Sequence, residues 1–135
     1  MIVPYYNIHK EFKRIEKPFI DSIRKIGNSG NYILGQHINT FEIKLKKIIG
    51  SKNVIAVANG TDALEIAITA LDIPMGSEII SVSNTWISTI NSILRSGCKP
   101  VLCDIDETYN IDPLKIEKLI TRKTKAIIAV HLNGL

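Results

Sequence analysis

Val54-Ile55-Ala56-Val57-Ala58-Asn59-Gly60-Thr61-Asp62-Ala63-Leu64 is the stretch whose reading decides the fold. Val54–Ala58 is a short, unbroken apolar run, the pattern of a strand buried on both faces. Asn59 and Gly60 leave almost no loop before Thr61–Leu71, TDALEIAITAL, which reads as a helix. Its polar residues Asp62, Glu65 and Thr69 share one stripe and the rest is apolar nearly all round, so deep burial is expected.

The alternation continues downstream. Glu78–Ser83 (EIISVS) reads as a strand, and Thr85–Gly97 (TWISTINSILRSG) as a helix with Ile87, Ile90, Ile93 and Leu94 turned inward. Lys99–Ile105 (KPVLCDI) is again strand-like. Asp112 with Pro113 behind it marks a helix start, and Ala126–Val130 (AIIAV) is the last strand. Apolar strands alternating with helices predict an α/β fold, a mostly parallel sheet covered on both faces in a three-layer α/β/α sandwich. Ligands of such sheets sit at the carboxyl ends of the strands, which selects Asn59–Asp62, Ser83–Trp86 and His131–Leu135.

Upstream, Phe12, Ile15, Phe19, Ile23 and Ile26 recur at helical spacing, with Pro18 expected to break or kink the helix. The turn-rich segment Gly27–Gly35 follows. A second helix carries Ile38, Phe41, Leu45, Ile48 and Ile49 on one face with lysines opposite, and Gly50 and Ser51 end it. The expected organisation is an N-terminal helical segment over 1–52 and the first part of a large domain over 53–135.

The 135 residues are 45% hydrophobic, enough for one domain with a core. The net charge of +4 comes from lysines spread along the chain, and Lys44, Lys46 and Lys47 read as a solvated helix face. Aromatics are only 6%, which disfavours a nucleic-acid surface of basic and aromatic residues. No apolar run reaches membrane-spanning length. The N-terminus is charged early and has no signal-peptide core, so a cytoplasmic protein is expected. Cys98 and Cys103 match no metal-ligand spacing and read as buried, reduced thiols. The chain stops straight after its last strand, and a fragment, or a gene product cut short, is therefore expected.

Four places carry candidate chemistry. At Gly60-Thr61-Asp62 the backbone can approach a ligand, with the Thr61 and Asp62 amides and the Thr61 hydroxyl offered to a phosphate; the alternative is an ordinary helix cap. Trp86, the only tryptophan, either stacks on a planar cofactor or packs in the core. Asp104 and Asp106 either bind a divalent metal, as in a metal-dependent glycosyltransferase, or are solvated. His131 either meets a ligand or is structural; His9 and His37 read as surface residues. Neither a dinucleotide-binding glycine motif nor a P-loop is present, and no nucleophile elbow supports a hydrolase.

Together these segments resemble the nucleotide-sugar aminotransferases of the aspartate aminotransferase superfamily, pyridoxal-phosphate (PLP) fold type I. NYILGQHINTFEIKLKKIIG looks like the family's opening segment and VANGTDAL like its phosphate-binding turn. PMGSEIISVSNTWIST looks like its aromatic junction, with Ser77 in place of the usual aspartate. GCKPVLCDIDETYNIDPLKIEKLITRKTKAIIAVHLNG looks like the strand, helix and strand that follow. The resemblance implies that Gly60, Thr61 and Asp62 hold the phosphate of pyridoxal 5'-phosphate, that Trp86 stacks on its ring and that His131 lies at the pocket edge. It implies transfer of an amino group from glutamate to a keto group of a nucleotide-linked sugar, by a homodimer, for cell-surface polysaccharide or antibiotic sugars. The lysine that bonds the cofactor is not recognisable in these residues. A PLP-dependent sugar dehydratase and a non-catalytic remnant are the alternatives on the same scaffold.

Overall fold

The computed structural model describes residues 5–135, and the chain divides into two compact units, one ending at Ala56 and one running from Val57 to Leu135.

In the first unit, helix α1 spans Ile8–Ser29. Asn7 caps it, its side chain accepting from the Lys10 amide at 3.0 Å. Pro18 lies inside the helix and does not end it. A proline removes one amide from the ladder, and the turns on either side hold the helix together across that gap; the Ser22 hydroxyl also donates to the Pro18 carbonyl at 2.7 Å. Phe12 and Phe19 meet edge to face, with centroids 6.0 Å apart. Helix α2 spans Gln36–Ile49 and stops at Gly50, whose φ of 74° is the left-handed conformation that lets a helix terminate. The Glu42 carboxylate accepts from the Ala56 amide at 2.8 Å.

The second unit holds helix α3 (Gly60–Ala70), strand β1 (Glu78–Val82), helix α4 (Ile87–Arg95), strand β2 (Lys99–Cys103), the short helix α5 (Pro113–Ile116) and strand β3 (Thr124–Ile128). The strands form a parallel sheet in the order β2-β1-β3. β1 is central and Ile79–Val82 are fully buried. The chain steps from β1 to β2 on one side and then crosses back to β3 on the other. Right-handed crossovers therefore put α4 and α5 on opposite faces of the sheet. Connections that part in this way open a crevice at the carboxyl ends of the strands.

One face of β1 packs into a core of Ile68, Ile79, Ile93 and Cys98, with Ile73, Ala126 and Ile128 against it. Cys98 and Cys103 are both buried free thiols. Burial, and next the Asp112 carboxylate, push the Cys103 thiol above its ordinary pKa. Asp112 caps α5, accepting from the Leu114 amide at 2.9 Å, with Pro113 as the first helical residue.

Three expectations are corrected. Val54–Ala58 forms no strand: a strand exists through its partner, both edges of β1 are taken by β2 and β3, and no described strand pairs with this run. α3 is not deeply buried; of its residues only Ile68 is buried, and Ile66 is exposed. Its apolar composition leads into the core along one stripe only. In α4 the buried residues are Thr89, Ser92 and Ile93, whereas Ile87 and Leu94 are exposed. Small hydroxyl residues are buried at low cost here because their hydroxyls are hydrogen-bonded within the protein, Ser92 to the Ser88 carbonyl at 2.7 Å and Thr89 with Thr85 at 2.8 Å.

Candidate functional site

α3 begins at Gly60 because Asn59 caps it. The Asn59 side-chain oxygen accepts from the Asp62 amide at 2.9 Å and its amide nitrogen donates to the Asp62 carboxylate at 3.1 Å. The Asp62 amide is thus already satisfied, contrary to the expectation that it is free for an anion. The Gly60 and Thr61 amides, one step earlier, have no acceptor among the described residues, as the first turn of a helix requires.

The Thr61 hydroxyl does not point freely into solvent. It donates to the Ser88 hydroxyl on α4 at 2.8 Å. The Ser92 hydroxyl reaches the Thr61 carbonyl at 3.4 Å. The Thr61–Ser88 bond ties the start of α3 to the start of α4, and beside it lies an open cavity of about 310 Å³ lined by Gly60, Thr61, Leu64, Trp86, Ser88 and Thr89. Trp86 is the residue before α4 and is 78% exposed.

The structure therefore brings Gly60, Thr61 and Trp86 together around one space. Asp62 is turned away from it, lining a separate hollow of about 410 Å³ with Glu65, Ile66, Thr69, Ala70 and Arg95, where Arg95 pairs with Glu65 at 2.8 Å. That hollow is the larger of the two, but neither an unpaired helix amide nor an aromatic ring lines it.

Gly60 supplies a test of fit. Its φ is not in the left-handed region, and a Cβ added there meets no atom within 4 Å. Neither backbone conformation nor packing against the protein requires glycine at this position. The space beside it is open, at a helix N-terminus whose unpaired amides and dipole are of the kind that favours an anion.

The remaining candidates lie elsewhere. The Asp106 carboxylate accepts from the Thr108 hydroxyl at 2.6 Å and from its amide at 2.8 Å, and these bonds, the hydroxyl's first, hold it below the usual carboxylate range. Asp104 pairs with Lys115 at 3.5 Å. The two carboxylates are engaged in a turn and an ion pair, and no cluster of three or more metal-ligating side chains occurs among the described residues. His131 Nδ1 lies 2.9 Å from the Leu135 carbonyl oxygen and does not line the cavity. Ser88, Thr89 and Leu64 complete the lining and are not distinguished by the sequence. The one available signal is the i, i+4 series Ser88, Ser92, Ser96 on the face of α4.

Residues 13–135 match the DegT/DnrJ/EryC1/StrS aminotransferase family, and the chain belongs to it. It is 45% identical over 134 residues to the dTDP-3-amino-3,6-dideoxy-alpha-D-galactopyranose transaminase of Aneurinibacillus thermoaerophilus, covering 98% of this chain and 37% of that protein. It is 38% identical over 134 residues to the UDP-2-acetamido-2-deoxy-3-oxo-D-glucuronate aminotransferase of Pseudomonas aeruginosa, again covering 98% and 37%. Among solved structures, NtdA from Bacillus subtilis with bound cofactor PMP superposes with a TM-score of 0.93 at 34% identity, over 98% of this chain and 31% of that one. The chain thus spans a little over a third of the length of the curated relatives it matches. The α/β fold is that of the PLP fold type I aminotransferases.

Proposed function

We propose that this chain forms the cofactor-cradling part of a PLP-dependent aminotransferase that passes an amino group from glutamate to a keto group on a nucleotide-linked sugar. The observation that carries the reading is the single cavity lined by Gly60, Thr61 and Trp86, with unpaired amides at one side and an exposed indole at another.

In this reading the Gly60 and Thr61 amides bind the cofactor phosphate, and Leu64 and Thr89 close the cavity around it. Trp86 lays its indole on the pyridine ring, fixing its plane and keeping water from that face. Asp62 acts through the cap it makes with Asn59, which sets where the two amides point. When bound, the cofactor supplies the electron sink for proton movement at the substrate carbon. The lining contains no lysine, so these residues hold and orient the group and do not themselves provide the amine that the transfer needs.

The sugar nucleotide is supported by the relatives, whose names specify amination of dTDP- and UDP-linked sugars, and glutamate as donor belongs to the same proposal. Cell-surface polysaccharide or antibiotic sugar synthesis, a homodimer and a cytoplasmic setting belong to the same reading; the two free, buried thiols suit a reducing compartment, and no helix among the described residues is long and apolar enough to cross a membrane. The organisation that goes with it is a helical segment over 1–52 followed by the first part of the cofactor-binding domain over 53–135.

Pyridoxamine 5'-phosphate (PMP) is the probe of choice, because unlike the aldehyde it cannot bond to surface lysines. Titrating it into the chain while following Trp86 emission should give saturable quenching, stronger than with pyridoxamine, which lacks the phosphate. Equal or absent quenching by the two compounds would defeat the reading.

A further inference from the structure

The hydroxyls of α4 form a series one turn apart. Ser96 donates to the Ser92 carbonyl at 2.8 Å, and Ser92 donates to the Ser88 carbonyl at 2.7 Å. Each spends its proton on the helix behind it, the usual fate of a helical serine. Ser88 cannot do so. It is the second residue of α4 and no helical carbonyl lies one turn back. Its oxygen instead accepts the Thr61 proton at 2.8 Å, and its own proton has no acceptor among the described residues. A hydroxyl has one proton to give, and Ser88 is left holding it at the wall of the cavity that Gly60 and Thr61 also line.

We propose that Ser88, and not Thr61, is the side-chain donor to the cofactor phosphate, with Thr61 serving as the positioning residue that orients the Ser88 hydroxyl. The inference rests on the cradle reading above and assigns its third donor. Two backbone amides and one hydroxyl then converge on one anion from two helices. Thr61 contributes its amide directly and its side chain only through Ser88. Ser92, its proton taken by the Ser88 carbonyl at 2.7 Å, lies 3.4 Å from the Thr61 carbonyl and adds no donor to the cavity.

The test compares PMP and pyridoxamine binding to the 135-residue chain and its variants, read by Trp86 quenching. Ser88→Ala should weaken PMP binding by about tenfold or more, the loss of one hydrogen bond to a charged acceptor, and leave pyridoxamine binding unchanged. Ser88→Thr, which keeps the hydroxyl, should restore most of the phosphate preference. Circular dichroism melts establish that each variant is folded, and Ser88→Cys, a weak donor of similar size, carries the same comparison if the alanine variant is not. If the parent chain prefers PMP over pyridoxamine and folded Ser88→Ala keeps that preference within about twofold, the assignment of Ser88 is overturned and the cradle stands. If the parent chain shows no preference, the cradle itself fails and the assignment falls with it.

Discussion

Asn59 and Asp62 hold each other through two bonds, the asparagine oxygen on the Asp62 amide at 2.9 Å and the asparagine nitrogen on the Asp62 carboxylate at 3.1 Å. The pair fixes where α3 begins and so which amides remain for a ligand. Asn59→Ala should cost about 1 kcal/mol, the ordinary value of a lost N-cap. Asn59→Asp should also destabilise the chain near neutral pH, since it keeps the acceptor but sets a second carboxylate against Asp62. Urea unfolding of the three proteins checks the order; an aspartate variant as stable as the parent would show that the carboxylate contact contributes nothing.

Ser92 is fully buried where α3 meets α4, and its hydroxyl bonds back onto its own helix. Ser92→Ala should cost under about 1 kcal/mol, because the Ser88 carbonyl keeps its main-chain partner. Ser92→Leu should cost about 1–3 kcal/mol by overpacking and should also weaken PMP binding, since it drives apart the two helices that wall the cavity. Melting temperatures together with the quenching titration separate the two effects.

Asp106 gives a pH dependence whose sign follows from its lowered pKa. The unfolded chain takes up the proton more readily than the folded one, so the stabilisation is present above the ordinary carboxylate value and lost as pH falls through the lowered one. The stability gap between the parent and Asp106→Ala should be constant above about pH 5 and shrink below about pH 4. Denaturant midpoints at a few acid pH values measure it. A gap that widened on acidification would contradict the hydrogen bonds drawn between Asp106 and Thr108.

Much of the fold is legible in the residues. Gly50 and Asp112-Pro113 mark a helix end and a helix start where the structure has them. The apolar runs at Glu78–Val82 and Lys99–Cys103 are strands, and β3 begins two residues before the run from which it was read. Val54–Ala58 departs from the reading in both respects, because an apolar run supplies no strand partner by itself, and without one Ile55 and Val57 stay exposed. Ile87 and Leu94 depart from the reading because apolar residues on α4 need not all turn inward: the buried side is Thr89, Ser92 and Ile93, with Ile93 in the core beside Ile79 and Ser92 against the start of α3. At the site, Gly60, Thr61 and Trp86 were legible as helix junctions, whereas Ser88 was not. Its role depends on which proton lacks a partner, a property of two helices brought together.

Two glycines separate structural need from ligand need, and they provide the most direct test of the central claim. Gly97 has a φ of 74°, and a Cβ there would lie 3.1 Å from Met75 Cε; Gly60 has neither constraint. Gly97→Ala should therefore destabilise the chain by about 1–2 kcal/mol without touching the cavity. Gly60→Ala should leave the melting temperature unchanged or slightly raised and yet weaken PMP binding by about tenfold or more, because the added methyl enters the space the phosphate would occupy. Affinity for PMP measured on folded Gly60→Ala is the deciding number: a marked loss at unchanged stability supports the cradle at the start of α3, and an affinity equal to that of the parent chain contradicts it.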